Sequence, residues 1–312
     1  GTVIYDEGRV WGDREVYGKI LSVIEFPKLY LRDVNIWKGI YRRDFLIKNA
    51  IKLNETSGAA FQDIGFCLLL LLHAKRGMYV DDLFYYYRRD NEDSSSNKPY
   101  GLRFAYQEFR KLLDDPVTGK NVELFYHYLY IRMIHVFMGE YEKLLRYGGK
   151  PGEEFREMIG WFQEKLGVEI GRGKITEKDI GKAVWDELCL LIGNEDAYAE
   201  RRLDAKRRRD EEEQKLLNKI GRDRVVVFGC GYRGRDALLF CDRYEIETAA
   251  FCDNDISRWG DEFYGYRICA PAELLESYSD AKILISTNKY GQAVREQLEE
   301  MGICGERIAV LP

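Results

Sequence analysis

The glycines of Gly229-Cys230-Gly231-Tyr232-Arg233-Gly234, spaced as G-x-G-x-x-G, are the residues whose type and pattern point most directly to chemistry. In such a turn the first glycine lets the chain reverse tightly, and the second lets backbone N–H groups approach a phosphate with no Cβ in the way. The third lets a helix pack closely on a strand. A helix starting there adds unsatisfied N–H groups and the positive end of its dipole, so the expected chemistry is the holding of a phosphate. Asp253 follows about twenty residues beyond the last glycine, where a carboxylate can accept bonds from ribose hydroxyls. Gly229, Gly231, Gly234 and Asp253 are therefore the candidate nucleotide-binding residues. The bland counterpart is a glycine turn kept only for packing or assembly. An acid–base pair beside Gly231 could come only from Asp253, Asp255 and Asn288-Lys289, which ranks a stand-alone sugar-modifying enzyme last.

These residues need elements to hold them. Arg224-Val225-Val226-Val227-Phe228 is an apolar, β-branched run suited to a buried parallel strand, and a helix is expected through Ala237 to Phe240. Strands at Thr248–Cys252, Lys282–Ser286 and Arg307–Leu311 alternate with helices at Pro271–Glu276 and Gln292–Met301. That rhythm predicts a parallel sheet with right-handed crossovers over residues 221–312. Residues 101–220 read as a helical region: Phe104, Phe109 and Leu112 recur at helical spacing, as do Leu124, Tyr128, Ile131 and Ile134, and Val184, Leu188, Leu191 and Ile192. The charged stretch from Glu195 to Lys219 reads as a solvated linker helix with opposite charges paired along it. Residues 1–100 mix short strand-like and helical pieces, with Asp63 placed to cap a helix from Ile64 to Ala74.

The 312 residues carry a net charge of -5, so nucleic acid is not an expected partner. Seven cysteines are scattered without a Cys-x-x-Cys pair, which points to free thiols in a reducing cytoplasm and away from zinc or disulfides. Gly1-Thr2-Val3-Ile4 is soon followed by charge, unlike a signal peptide, and the longest apolar run, Phe66 to Leu72, is too short for a transmembrane segment. A chain that starts without methionine is expected to be a piece of something longer.

Three stretches in the first hundred residues carry a resemblance. They are Ile36-Trp37-Lys38-Gly39-Ile40-Tyr41-Arg42-Arg43-Asp44-Phe45-Leu46, Asn54-Glu55-Thr56-Ser57-Gly58-Ala59-Ala60-Phe61-Gln62-Asp63-Ile64-Gly65-Phe66, and Phe84-Tyr85-Tyr86-Tyr87-Arg88-Arg89-Asp90-Asn91-Glu92-Asp93-Ser94-Ser95. In this order they resemble the acceptor-side half of bacterial family 2 glycosyltransferases, enzymes of GT-A fold that use nucleotide-diphospho-sugars. The resemblance covers about residues 30–98. It implies that Asp63 is the general base on the acceptor hydroxyl, with Gln62, Trp37, Lys38, Tyr86 and Arg88 as substrate-binding residues. Arg88 would lie near the sugar-nucleotide diphosphate, and Trp37 would stack on a sugar or fill core. Two departures stand out. Tyr86 occupies a place where many relatives have His, and no donor-binding half with an Asp-x-Asp metal motif precedes Gly1. A divalent metal, Mn or Mg, is expected only with that half, so no metal ligand is assigned in this chain. The segment from Phe228 through Pro271 resembles small Rossmann-like domains attached to sugar-modifying enzymes, which implies a nucleotide or nucleotide-sugar ligand.

The expected fold is thus α/β: a partial GT-A-like segment (1–100), a helical middle (101–220) and a C-terminal Rossmann-like parallel sheet (221–312). The expected function is the C-terminal portion of a glycosyltransferase in cell-surface polysaccharide synthesis, inactive without its donor half. Its partners would be a nucleotide-sugar and a saccharide acceptor, with a homo-oligomer formed through the helices. The expected location is cytoplasmic, peripheral to the inner face of the membrane. The alternative is a non-catalytic nucleotide-sugar-binding or assembly module.

Overall fold

The computed structural model describes residues 16–32, 35–55, 60–82, 85, 101–115, 117–148, 150–287 and 289–312. The described residues fall in two compact units, 16–204 and 205–312.

Residues 16–204 are mainly helical. A short antiparallel ladder pairs β1 (Ile20–Leu21) with β2 (Gly77–Met78), and between them lie α1 (Leu29–Arg32), α2 (Arg43–Lys48) and α3 (Gln62–His73). There follow α4 (Gly101–Asp114), α5 (Val122–Gly148), α6 (Glu153–Gly171), α7 (Glu177–Ile180), α8 (Lys182–Gly193) and α9 (Glu195–Ile220). Along α5, Phe125, Leu129, Met133, Phe137 and Tyr141 recur every four residues and are all fully buried, the apolar stripe that a packed helix needs. The expected face of Leu124, Tyr128, Ile131 and Ile134 flanks this stripe, so Ile131 and Ile134 are buried while Leu124 and Tyr128 are half-buried. Phe104 is also only half-buried, because Leu102, Ala105, Phe109 and Leu112 form the inner face of α4. Leu21, Tyr30, Ile64 and Leu68 share one core with Phe109, Phe125, Phe162, Leu188 and Tyr198, so residues on both sides of position 100 close a common interior.

In residues 205–312 the order is β3 (Val225–Phe228), α10 (Tyr232–Arg243), β4 (Thr248–Cys252), β5 (Glu262–Phe263), β6 (Tyr266–Cys269), α11 (Glu273–Glu276), β7 (Lys282–Ile285), α12 (Gly291–Glu300) and β8 (Ile308–Val310). They make a six-stranded sheet in the order β5-β6-β4-β3-β7-β8. All neighbours are parallel except β5, which pairs antiparallel with β6 and adds an edge strand the sequence did not announce. Side chains alternate across β3 with the two-residue period of a strand. Val225 and Val227 pack with Ala237, Leu238 and Cys241 of α10 and with Leu216 and Ile220 from the last turns of α9. Val226 and Phe228 pack on the other face with Leu274 of α11 and with Val294 and Leu298 of α12.

All seven cysteines are free; Cys189 and Cys304 are exposed and the other five are buried. No helix among the described residues is long and apolar enough to cross a membrane.

Candidate functional site

The chain runs outward from β3 to β4 and β6, then returns to the other side of β3 for β7 and β8. Such a reversal leaves a crevice at the carboxyl ends of the two strands that flank it. A cleft of about 460 Å³ lies there, walled by residues 228–234 after β3, by Asp253 and Asn254 after β4, and by Ser286, Thr287 and Tyr290 after β7.

The glycines divide the work of shaping this cleft. Gly229 has a φ of +112°, a conformation that favours glycine, and a Cβ there would sit 2.8 Å from Ser286 Oγ. That hydroxyl is buried and donates to the Phe228 carbonyl at 2.9 Å, joining the ends of β3 and β7. At Gly234 a Cβ would overlap the Gly229 carbonyl oxygen, so only glycine lets α10 begin so close to the turn. Gly231 is the N-cap of α10 in ordinary extended backbone, and a Cβ there would meet nothing within 4 Å. No side chain caps this helix start and no acid lies in its first turn. Its orphan N–H groups and dipole therefore face the cleft without a built-in anion of their own helix.

Asp253 reaches the turn, but its carboxylate is engaged by the chain itself. Oδ2 accepts from the Cys230 N–H at 2.8 Å and Oδ1 from the Asp255 N–H at 3.0 Å. Asp255 accepts from the Ser257 N–H and hydroxyl at 3.0 and 2.6 Å, bonds that hold its pKa below the usual carboxylate range. Asn288 lies outside the described residues, and Lys289 lies with its ammonium 4.9 Å from the Tyr290 ring. The thiol of Cys230 is pushed up to about 12 by burial and the nearby Asp253 charge, which makes it a poor nucleophile at neutral pH. Two exposed rings stand at the mouth, each with a cation over it: Tyr232 with the Arg235 guanidinium at 4.3 Å, and Tyr290 with Lys289. No motif assigns these tyrosines a role, because only the fold brings the starts of α10 and α12 to one cleft.

In the unit of residues 16–204, Asp63 is the second residue of α3 and not its cap. Phe61 takes the N-cap position with a left-handed φ of +64°. Burial raises the Asp63 pKa, opposed by the N–H groups of Asp63 and Ile64 and by the charge of Arg132. Near it lies Glu108, 4% exposed, which accepts from Asn54 Nδ2 at 3.0 Å and whose pKa burial pushes up to about 7. Lys111 Nζ in turn donates to Asn54 Oδ1 at 3.0 Å. A Cβ at Gly65 would overlap Glu108 Oε1, so the glycine inside α3 was the one local sign of this carboxyl. Gln62 opens α3, half-buried. Trp37, in a short 3-10 turn over Ile36–Lys38, is half-buried. It stacks on Tyr85 with ring centres 4.7 Å apart, and the Lys38 ammonium lies 5.2 Å from its ring. Ile36, Tyr41, Phe45 and Leu46 pack on Ile51, Phe66 and Cys67, so the first two resemblance-bearing stretches meet. Tyr86 and Arg88 lie outside the described residues. Among the described residues no three His, Cys, Asp or Glu side chains gather as metal ligands would.

No curated protein matches the chain. Over residues 221–309, which contain the glycine turn and every wall of the cleft, the chain is similar to the family described as C2185-like, N-terminal.

Proposed function

We propose that residues 205–312 are a Rossmann-like unit that binds a nucleotide or nucleotide-sugar by its phosphates. The observation that carries this reading is the cleft at the reversal point between β3 and β7, opened by Gly231 beside an uncapped helix start. A phosphate there would accept from the N–H groups of the first turn of α10, with the helix dipole favouring its charge. Calorimetry against UDP-, GDP-, CMP- and dTDP-sugars, NAD and free nucleotides tests it. Gly231→Val is the control, because Gly231 lines the cleft and a Cβ there would meet nothing within 4 Å. Binding by the native chain that is lost in the valine variant is the expected result; no binding by the native chain would overturn it.

The wider reading makes the chain the acceptor-side, C-terminal portion of a bacterial family 2 glycosyltransferase in cell-surface polysaccharide synthesis. It is favoured by the meeting of the first two motif-bearing stretches and by the stacking of Tyr85, from the third, on Trp37. Asp63 would be the general base, and a carboxyl with a raised pKa suits that task because it holds an abstracted proton better. The donor half, with its Mn or Mg, would supply the nucleotide-sugar, and the work would be done at the cytoplasmic face of the membrane. On this reading the chain alone transfers no sugar, and robust transfer by it with a nucleotide-sugar and Mn²⁺ would sink the idea. Joined to a donor half, the enzyme should lose activity on Asp63→Asn. Full activity of that variant would remove Asp63 as the base, whereas no activity of the joined native chain would favour a non-catalytic binding or assembly module, whose self-association through the helices sedimentation would detect.

A further inference from the structure

A phosphate seeking the glycine turn would compete for its N–H groups, and the central one is already taken. Cys230 N–H points to Asp253 Oδ2, and the guanidinium of Arg258 lies 3.7 Å from the same oxygen while donating to the Cys230 carbonyl at 2.9 Å. The second carboxylate oxygen holds the Asp255 N–H, and Trp259 Nε1 donates to the Asp253 carbonyl at 2.8 Å. Two backbone donors and a guanidinium around one carboxylate are the surroundings of a bound anion. Here the anion belongs to the chain.

We infer that Asp253 is an internal anion seated on the middle donor of the glycine turn, so that it positions the turn and does not read ribose. Both of its oxygens already accept a backbone N–H, so a ribose diol would have to share acceptors that hold the turn. A ligand's phosphate is confined to the Gly231 side of the turn, and the negative charge of Asp253 works against it at short range. The cleft would then select for phosphate and would be indifferent to the 2′-hydroxyl. The ligand half of this inference rests on the nucleotide reading above; the seated carboxylate does not.

Asp253→Asn keeps the side chain's shape and one acceptor but removes the charge. Calorimetry on the full chain with ADP, 2′-deoxy-ADP, UDP and 2′-deoxy-UDP should give native affinities equal within about twofold for each ribo/deoxy pair. The asparagine variant should bind ADP and UDP about fivefold or more tightly than the native chain, as loss of a nearby like charge requires. Unchanged or weaker binding by the variant, or a native preference for the ribo form of about tenfold, would overturn the inference. If no nucleotide binds, the nucleotide reading fails and hydrogen exchange decides. In Asp253→Ala the Cys230 and Asp255 amides should then exchange about tenfold faster or more while the amides of β3, β4 and β7 stay protected. Equal rates at Cys230 and Asp255 would overturn it.

Discussion

A methyl group on Gly234 would overlap the carbonyl oxygen of Gly229, a backbone atom that cannot swing aside. Gly234→Ala should therefore lower the stability of the sheet unit by about 2–3 kcal/mol, the usual cost of forced overpacking, as urea unfolding would report. Gly231→Ala, in open space three residues earlier, should cost less, about 1 kcal/mol for alanine at an N-cap. The sequence announced both glycines because a turn's demands are written in neighbouring residues. Of Glu108, which reaches the start of α3 from a helix some forty residues further on, it carried only the glycine at Gly65 as a sign. Glu108 also makes a pH prediction. Its folded pKa, about 7, stands above the unfolded value, so the folded state binds the proton more tightly. Its contribution is at its best below the unfolded pKa and is lost as pH rises towards 7, by roughly 3 kcal/mol for a shift of that size. Asp63 is shifted in the same direction. Unfolding midpoints of the helical unit should fall between pH 5 and 7.5, and Glu108→Gln should flatten much of that fall.

Among the elements, α5 owes its place to one stripe. Phe137 is fully buried with its ring stacked 4.5 Å from that of Phe162, so Phe137→Ala should cost the helical unit about 3–5 kcal/mol by calorimetry. Of the five parallel strands, β3, β4, β7 and β8 were legible as short β-branched or apolar runs between helices, since burial on both faces demands that composition. The β5–β6 hairpin was not. Its two-residue turn has positive φ at both Tyr264 and Gly265, and a tyrosine is not a residue whose type signals that conformation. Likewise the charged stretch read as a solvated helix is α9, where Lys206 pairs with Asp210 at 2.9 Å, yet its buried ends Tyr198 and Ile220 carry the contacts that matter.

For the whole molecule, each unit has its own core, so two separable unfolding transitions are expected. A nucleotide at a hundred times its Kd should add about 2.7 kcal/mol to the transition of the sheet unit and leave the other unchanged. Calorimetric scans with and without ligand check this directly, and a shift of both transitions together would contradict it. The two exposed thiols add a practical consequence. Cys189 lies on α8 in one unit and Cys304 follows α12 in the other. The Cys189 thiol is held above its ordinary pKa by desolvation and by Asp186, so it carries less thiolate at neutral pH and reacts more slowly. A first maleimide dye should therefore go to Cys304 and a second to Cys189. The native chain, with no cysteine removed, thus carries attachment points for a fluorescent donor and acceptor that report the distance between its units as a nucleotide is titrated in.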